Sequence, residues 1–326
     1  MLTLGVESSA HTFGVGVVDE GKVISNEKSM YKIGTTGMIP KKVAEFHVQN
    51  SSSVVERALS KAKISITDIE GIGYTKGPGI GNCLQVGQVV AKTIAKKLNV
   101  PIVPVNHGIG HIEIGRLQSG LKDPVVLYVS GGNSQILKIA KGKGKNRHYR
   151  VLGETFDIGI GNMLDNFARS IKLDPAWGST VEKTAVGGRY IPMPYTVKGM
   201  DFSFTGLLTH SIKQVGMHSK EEICYSIQEV SFSMLCEATE RALLLTNSKE
   251  LCVCGGVAQN TRLKEMLRMI AEDHKAKIGY AANEFNADNG AMIAFVAERM
   301  IKEGSKAKLN ECDIEQRYRI DRATVF

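Results

Sequence analysis

Three short stretches, 2–7, 12–19 and 22–28, follow one another at the start of the chain and read as extended strands, with Glu20-Gly21 supplying a tight turn between the last two. A long helical pattern covers about 40–63, a buried strand is expected at 69–74, and a helix at 84–98 emerges from a glycine-rich loop. After Asp123-Pro124 the chain begins again. Strands are predicted at 125–130, 134–140 and 149–153, helices at 159–172, 220–246 and 260–274, and core strands at 251–254 and 277–280. The order strand-strand-strand-helix-strand-helix is thus used twice, with different insertions. Such a repeat predicts an α/β protein of two similar halves facing each other across a cleft. The boundary is expected near 122, giving halves at 1–122 and 123–303, the second with a helical insertion. A helix at about 288–303 is expected to pack back onto the first half, as is the tail at 304–326, taken as a C-terminal helix.

At 326 residues, 43% hydrophobic and 23% charged, the chain has the length for two ordinary domains and the balance of a globular protein. No run of about eighteen apolar residues suggests a membrane span. The first residues, Met1-Leu2-Thr3-Leu4-Gly5-Val6-Glu7, lack a basic leader region and read as a strand. The cysteines stand at 83, 224, 236, 252, 254 and 312, with no zinc or disulfide spacing; Cys252-Val253-Cys254 reads as one buried strand. That usage points to the reducing cytoplasm. A formal charge of +8 favours approach to a polyanion such as nucleic acid, and equally describes many mildly basic proteins.

Three loops have the chemistry to hold a nucleotide. Glu7-Ser8-Ser9-Ala10-His11-Thr12 is a hydroxyl-rich turn closing the first strand. Tyr128-Val129-Ser130-Gly131-Gly132-Asn133-Ser134 occupies the equivalent place in the second half, where Gly131 and Gly132 permit positive φ and close backbone approach. Either turn alone also reads as a plain hairpin; two at equivalent positions favour phosphate. Val253-Cys254-Gly255-Gly256-Val257-Ala258-Gln259-Asn260 reads as a strand, a Gly-Gly turn and a helix capped by Asn260, an arrangement that presents N–H groups to a ligand or simply packs. The 76–81 loop is glycine-rich but lacks both the P-loop ending and the dinucleotide fingerprint.

His107 and His111 are four residues apart. On a helix both imidazoles share one face and can bind one metal, although the intervening glycines weaken helix propensity. Gly108 stands where a zinc protease needs glutamate, and Glu113 fits no hydrolytic spacing. Asp288 is a candidate third ligand, or equally a helix cap.

Taken together, these segments resemble a known family. The stretches 5–12, 106–116, 128–135, 157–162, 254–260 and 288–294 are similar, in order and in spacing, to the archaeal and eukaryotic KEOPS-complex tRNA threonylcarbamoyl transferases, counterparts of bacterial TsaD. The resemblance implies two actin-like (ASKHA), ribonuclease-H-like halves with a nucleotide cleft between them. It implies an iron or zinc centre on His107, His111, Tyr128 and Asp288, which are also the catalytic residues. It places ATP or threonylcarbamoyl-AMP on Tyr128, Val129, Ser130, Gly131, Gly132, Asp165, Gly178, Glu182, Gly256 and Asn260, with Ser8 and Ser9 closing over the phosphate end. It also implies metal-assisted transfer of a threonylcarbamoyl group to N6 of the adenosine beside the anticodon. The implied partners are tRNA and KEOPS-type subunits, among them a small kinase-like protein and a dimerising subunit. Three positions depart from the family: Trp177-Gly178-Ser179 replaces a Gly-Gly-Pro triplet, Gly110 a common alanine, and Gln85 stands near a usual arginine. An ATPase or phosphotransferase of the same fold, and a nucleotide-switched scaffold, are the rival readings.

Overall fold

In a computed structural model, residues 1–32, 38–140 and 147–325 are described. The first three stretches form β1 (Thr3–Glu7), β2 (Thr12–Asp19) and β3 (Lys22–Met30), joined as antiparallel neighbours. Helix α1 (Pro40–Ala62) starts with proline at its first turn, where the missing N–H costs nothing, and ends on Lys63 in the left-handed conformation. Then follow β4 (Gly71–Gly77), α2 (Gly81–Leu98), β5 (Ile102–Asn106) and α3 (His107–Ser119). The sheet order is β3-β2-β1-β4-β5, with β4 and β5 parallel to β1.

The second set repeats the plan. Strands β6 (Val125–Val129), β7 (Ser134–Ile139) and β8 (Tyr149–Glu154) lead into α4 (Ile160–Ser170) and α5 (Gly178–Thr184). A two-stranded insertion, β9 (Val197–Lys198) with β10 (Asp201–Phe202), precedes α6 (Thr205–Lys213) and α7 (Lys220–Thr246). Ser219 and Glu222 form a reciprocal capping box at the start of α7. The chain continues through β11 (Glu250–Cys254), α8 (Thr261–Asp273), β12 (Lys277–Tyr280), α9 (Asn283–Asn286) and α10 (Gly290–Lys302). The second sheet runs β12-β11-β6-β7-β8, the first sheet's order read from its other edge. Each sheet therefore has its opening strand at the centre, flanked by an antiparallel pair on one side and parallel strands on the other.

The chain divides into two compact units, each discontinuous in sequence. Unit 1 comprises Met1–Ile114, Ala140–Tyr149 and Ala287–Phe326; unit 2 comprises Gly115–Ile139 and Arg150–Asn286. The core of unit 1 gathers Leu4, Val6, Phe13, Val15, Ile72 and Tyr74 with apolar residues of α1 and α2. That of unit 2 gathers β6 and β11 with α4 and α7 around Phe167, Phe204 and Phe232. The helix expected at 288–303 is α10, and it lies against β1, β2 and β4 of the first sheet. It comes so close that a Cβ at Gly5 or Gly16 would run into the backbone of Ala294 or Ala291. The tail at 304–326, expected as a helix, instead holds two 3-10 turns, Leu309–Glu311 and Ile320–Arg322, among its described residues. It is tied to β4 and β5 by backbone bonds, Glu315 N–H to Lys76 and Ala307 N–H to Ile102, and such pairing uses groups that a helix would keep for itself. No helix among the described residues is long and apolar enough to cross a membrane.

Candidate metal centre and donor-binding turn

The two histidines sit on the first turns of α3, which begins directly after β5. The Asn106 side chain accepts the Ile109 N–H at 3.2 Å, supplying a cap where glycines leave propensity low. With the helix formed, His107 and His111 project from one face, their rings edge to face at 4.7 Å between centroids. Asp288 arrives from the other end of the chain. It stands two residues before α10, and Asn289, not Asp288, caps that helix by accepting the Met292 N–H at 2.9 Å. The close packing of α10 on the first sheet thus delivers Asp288 to the histidines. Its Oδ1 lies 3.3 Å from Nε2 of His111 and 3.5 Å from Nε2 of His107.

One ligand atom from each of the three residues lies within 4.8 Å of the other two. Two imidazole nitrogens and a carboxylate oxygen, two of the three residues buried, form a donor set suited to a transition metal. The chemistry of these residues therefore fits the metal that the resemblance implies.

The electrostatics have a further participant. Glu7, at the end of β1 and fully buried, has Oε2 3.0 Å from Nδ1 of His107. Burial pushes the Glu7 carboxyl up, but the charge and hydrogen bond of His107 outweigh it and leave it below the ordinary carboxylate value. Burial likewise pushes His107 down, while Glu7 and then Asp288 bring it up to about 9. His111 stays lowered, because burial dominates the bond it makes with Asp288. Burial raises the Asp288 carboxyl, and the two histidines together hold it well below the usual range. Glu7 has no role of its own in the sequence reading beyond opening the hydroxyl-rich turn, although an acid ending the apolar run Leu4-Gly5-Val6 signals a buried charge that needs a partner.

In unit 2 the turn between β6 and β7 is built differently. Ser130 N–H donates to the Asn133 carbonyl, and Ser130 Oγ accepts the Asn133 N–H at 3.1 Å. The start of α4 is bonded to the same turn, Gly161 N–H to the Ser130 carbonyl and Asn162 N–H to that of Gly131. Ser134 Oγ accepts the Ile160 N–H at 2.9 Å. The motif at 157–162 is thus the brace of the motif at 128–135. Gly131 and Gly132 are exposed, and their N–H groups have no protein acceptor among the described residues. Neither uses the positive φ that glycine permits. The glycine that needs it is Gly255, at φ 97°, where a Cβ would collide with the Val129 carbonyl.

A model of the family "TsaD: tRNA N6-adenosine threonylcarbamoyltransferase" matches residues 20–295. The tRNA N6-adenosine threonylcarbamoyltransferase of Thermococcus sibiricus is 44% identical over 328 residues, covering 100% of this chain and 99% of that protein. The protein of the same name from Saccharolobus islandicus is 43% identical, with coverage of 100% and 99%. The chain belongs to this family. Among solved structures, T. kodakarensis HypF is similar in fold, at a TM-score of 0.64 and 16% identity over 93% of this chain and 48% of that one. Component A of (R)-2-hydroxyglutaryl-CoA dehydratase from Acidaminococcus fermentans gives 0.56 at 14% identity, over 93% and 99%. These likenesses agree with the actin-like (ASKHA) class of two five-stranded sheets.

Tyr128 is a buried residue of β6 in unit 2, paired in register with Cys254 and Gln135. Asp165 on α4 accepts the Gly178 N–H at 2.7 Å, Glu182 on α5 accepts the Thr261 N–H at 2.7 Å, and Asn260 caps α8 while donating to Gln228. These bonds bring Asp165, Gly178, Glu182 and Asn260 into one neighbourhood. Gly256 opens the 3-10 turn before α8, with nothing near the place of a Cβ. Ser8 and Ser9 are buried in unit 1, the Ser8 hydroxyl against Gly87 of α2. Glu113, without a sequence role, is buried and accepts from the Tyr149 hydroxyl.

Proposed function

We propose that this member of the family performs metal-assisted transfer, with His107, His111 and Asp288 as protein ligands of the metal. The tRNA N6-adenosine threonylcarbamoyltransferase activity follows from family membership; the observation that carries the metal is the convergence of the three ligand atoms within 4.8 Å. Tyr128 is added as a fourth ligand on the resemblance alone, and iron or zinc suits such a set.

In the reaction, N6 of the adenosine beside the anticodon attacks the carbamoyl carbon of threonylcarbamoyl-AMP. A C–N bond forms, the C–O bond to the phosphate breaks, AMP departs, and N6 gives up a proton. A bound metal supplies Lewis-acid polarisation and a template for the donor. The protein's own part is to bind and orient. The exposed N–H groups of Gly131 and Gly132 face charge that grows on the departing phosphate. Val129 and Ser130 shape that turn, and Asp165, Gly178, Glu182, Gly256 and Asn260 hold the nucleoside of the donor or of ATP. Ser8 and Ser9 at the phosphate end rest on the resemblance, since both are buried. The acceptor base stands in a single-stranded loop and is splayed out without melting a helix. The net charge of +8 suits a tRNA substrate. A small kinase-like subunit and a dimerising subunit are the proposed partners, and buried free thiols suit the reducing cytoplasm.

The test is threonylcarbamoyl transfer to unmodified tRNA with the activated donor and partner subunits supplied. Wild type is expected to transfer and Asp288→Ala to lose at least 100-fold. ATP turnover independent of tRNA and equal in both forms, without transfer, would establish the phosphotransferase reading instead.

A further inference from the structure

Glu7 accepts from three segments of unit 1 at once. Its Oε1 takes the Ser9 N–H at 2.6 Å, and its Oε2 takes the Thr75 hydroxyl at 2.6 Å while facing Nδ1 of His107 at 3.0 Å. An ionised carboxylate has no hydrogen to give, so the proton in the contact with His107 resides on Nδ1. In the neutral ring the lone pair then lies on Nε2, the atom that faces Asp288. We propose that Glu7 is a positioning residue for the metal centre, fixing His107 in the Nδ1–H tautomer and in the ring orientation that leaves Nε2 free to ligate. The inference rests on the metal reading above and deepens it. A histidine ligand whose second nitrogen is held by a carboxylate is set in tautomer and angle, and loss of such a partner commonly weakens metal binding about 10- to 100-fold.

Glutamine cannot substitute. With its oxygen toward His107 and Thr75, its NH2 confronts the Ser9 N–H donor to donor. Flipped, the NH2 faces His107 and donates to Nδ1, which moves the ring proton to Nε2 and blocks the ligating atom. Aspartate keeps the charge but is one methylene shorter. The hydroxyl of Thr75, on β4, fixes the carboxylate by donating to Oε2; removing it loosens Glu7 while leaving every proposed ligand in place.

The experiment measures zinc affinity of the full-length protein, stripped of metal, by competition with a chromophoric chelator, and checks folding by circular dichroism. His107→Ala and Asp288→Ala are expected to abolish stoichiometric zinc binding. Glu7→Gln should bind about 10- to 100-fold more weakly than wild type, with Glu7→Asp recovering part of the loss. Thr75→Val should bind a few-fold more weakly. In parallel, the long-range 1H–15N spectrum of zinc-loaded, histidine-labelled wild type should show His107 protonated at Nδ1 and metallated at Nε2. Wild-type affinity in Glu7→Gln, with zinc lost from His107→Ala and Asp288→Ala, would overturn the role of Glu7 alone. Zinc held normally by those two alanine variants would overturn the metal reading and this inference with it. Should Glu7→Gln fail to fold, the wild-type spectrum decides, and metallation of His107 through Nδ1 contradicts the proposal.

Discussion

In unit 1, His107, His111 and Asp288 are side chains aimed by other side chains and by the packing of α10, whereas in unit 2 the turn at 130–134 offers backbone N–H groups aimed by the start of α4. The first region is charged and largely buried, and each charge leans on another. The second is open, and its donors carry no charge to be desolvated. The difference predicts how each fails. A side-chain ligand set collapses when one member is removed, because a buried charge is left without its partner. A backbone turn tolerates changes of side chain and loses function only when its N–H groups are covered or displaced.

The largest effect that would sharpen this contrast is expected from His111→Ala. It should lose the metal, reduce transfer at least 100-fold and lower the melting temperature, because Asp288 loses a buried partner, as read by metal analysis beside circular dichroism. Retention of metal would break the comparison on the side of unit 1.

A smaller effect is expected from Gly132→Val. Nothing lies within 4 Å of a Cβ there, so the fold should survive, but a branched side chain beside the exposed N–H shields it. The KM for the activated donor should rise about tenfold, worth about 1.4 kcal/mol, with metal content unchanged. An unaltered KM would show that the turn does not touch the donor.

The brace of the turn has its own pH signature. Asp157 accepts from the N–H groups of Ile158, Phe204 and Thr205 and from the Ser203 hydroxyl, and so caps α6. Burial pushes its carboxyl up, yet these bonds win and hold it far below the ordinary value. A depressed carboxyl contributes stability that is complete above the unfolded-state value, near 3.9, and is lost as pH falls from there through the folded-state value. Chemical denaturation between pH 6 and 3 should therefore show a loss in wild type that Asp157→Asn flattens. At pH 7 the variant should be less stable by about 1–2 kcal/mol, the exposure of Asp157 keeping the figure modest.

The smallest effect concerns α3. In Gly110→Ala the new Cβ would come 3.1 Å from the flexible side chain of Met292, while the helix gains propensity of up to about 1 kcal/mol. A net gain of a few tenths of a kcal/mol is expected in thermal melts, with zinc affinity unchanged.

Much of this was legible in the sequence, for local reasons. The strand at 12–19 and the helix at 220–246 have the predicted bounds, because alternation and a capping box are written within the segments themselves. Strand β5 was not foreseen: Pro104 argues against a strand, and is tolerated because β5 lies at the sheet edge. Helix α6 was also missed, since its cap, Asp157, comes from 47 residues upstream of Phe204. The histidine pair could be seen from its spacing, but whether α3 would be helical depended on the Asn106 cap. Glu7 was visible as a residue and not as a partner, because His107 is 100 positions away along the chain.

The central claim, that transfer depends on a metal at His107, His111 and Asp288, is tested most directly on wild-type protein stripped of metal by a chelator. Supplied with partner subunits, activated donor and unmodified tRNA, the stripped protein should transfer at least 100-fold more slowly than the untreated protein. Iron or zinc added at one equivalent should restore it. Full transfer by protein shown by elemental analysis to be metal-free would contradict the account.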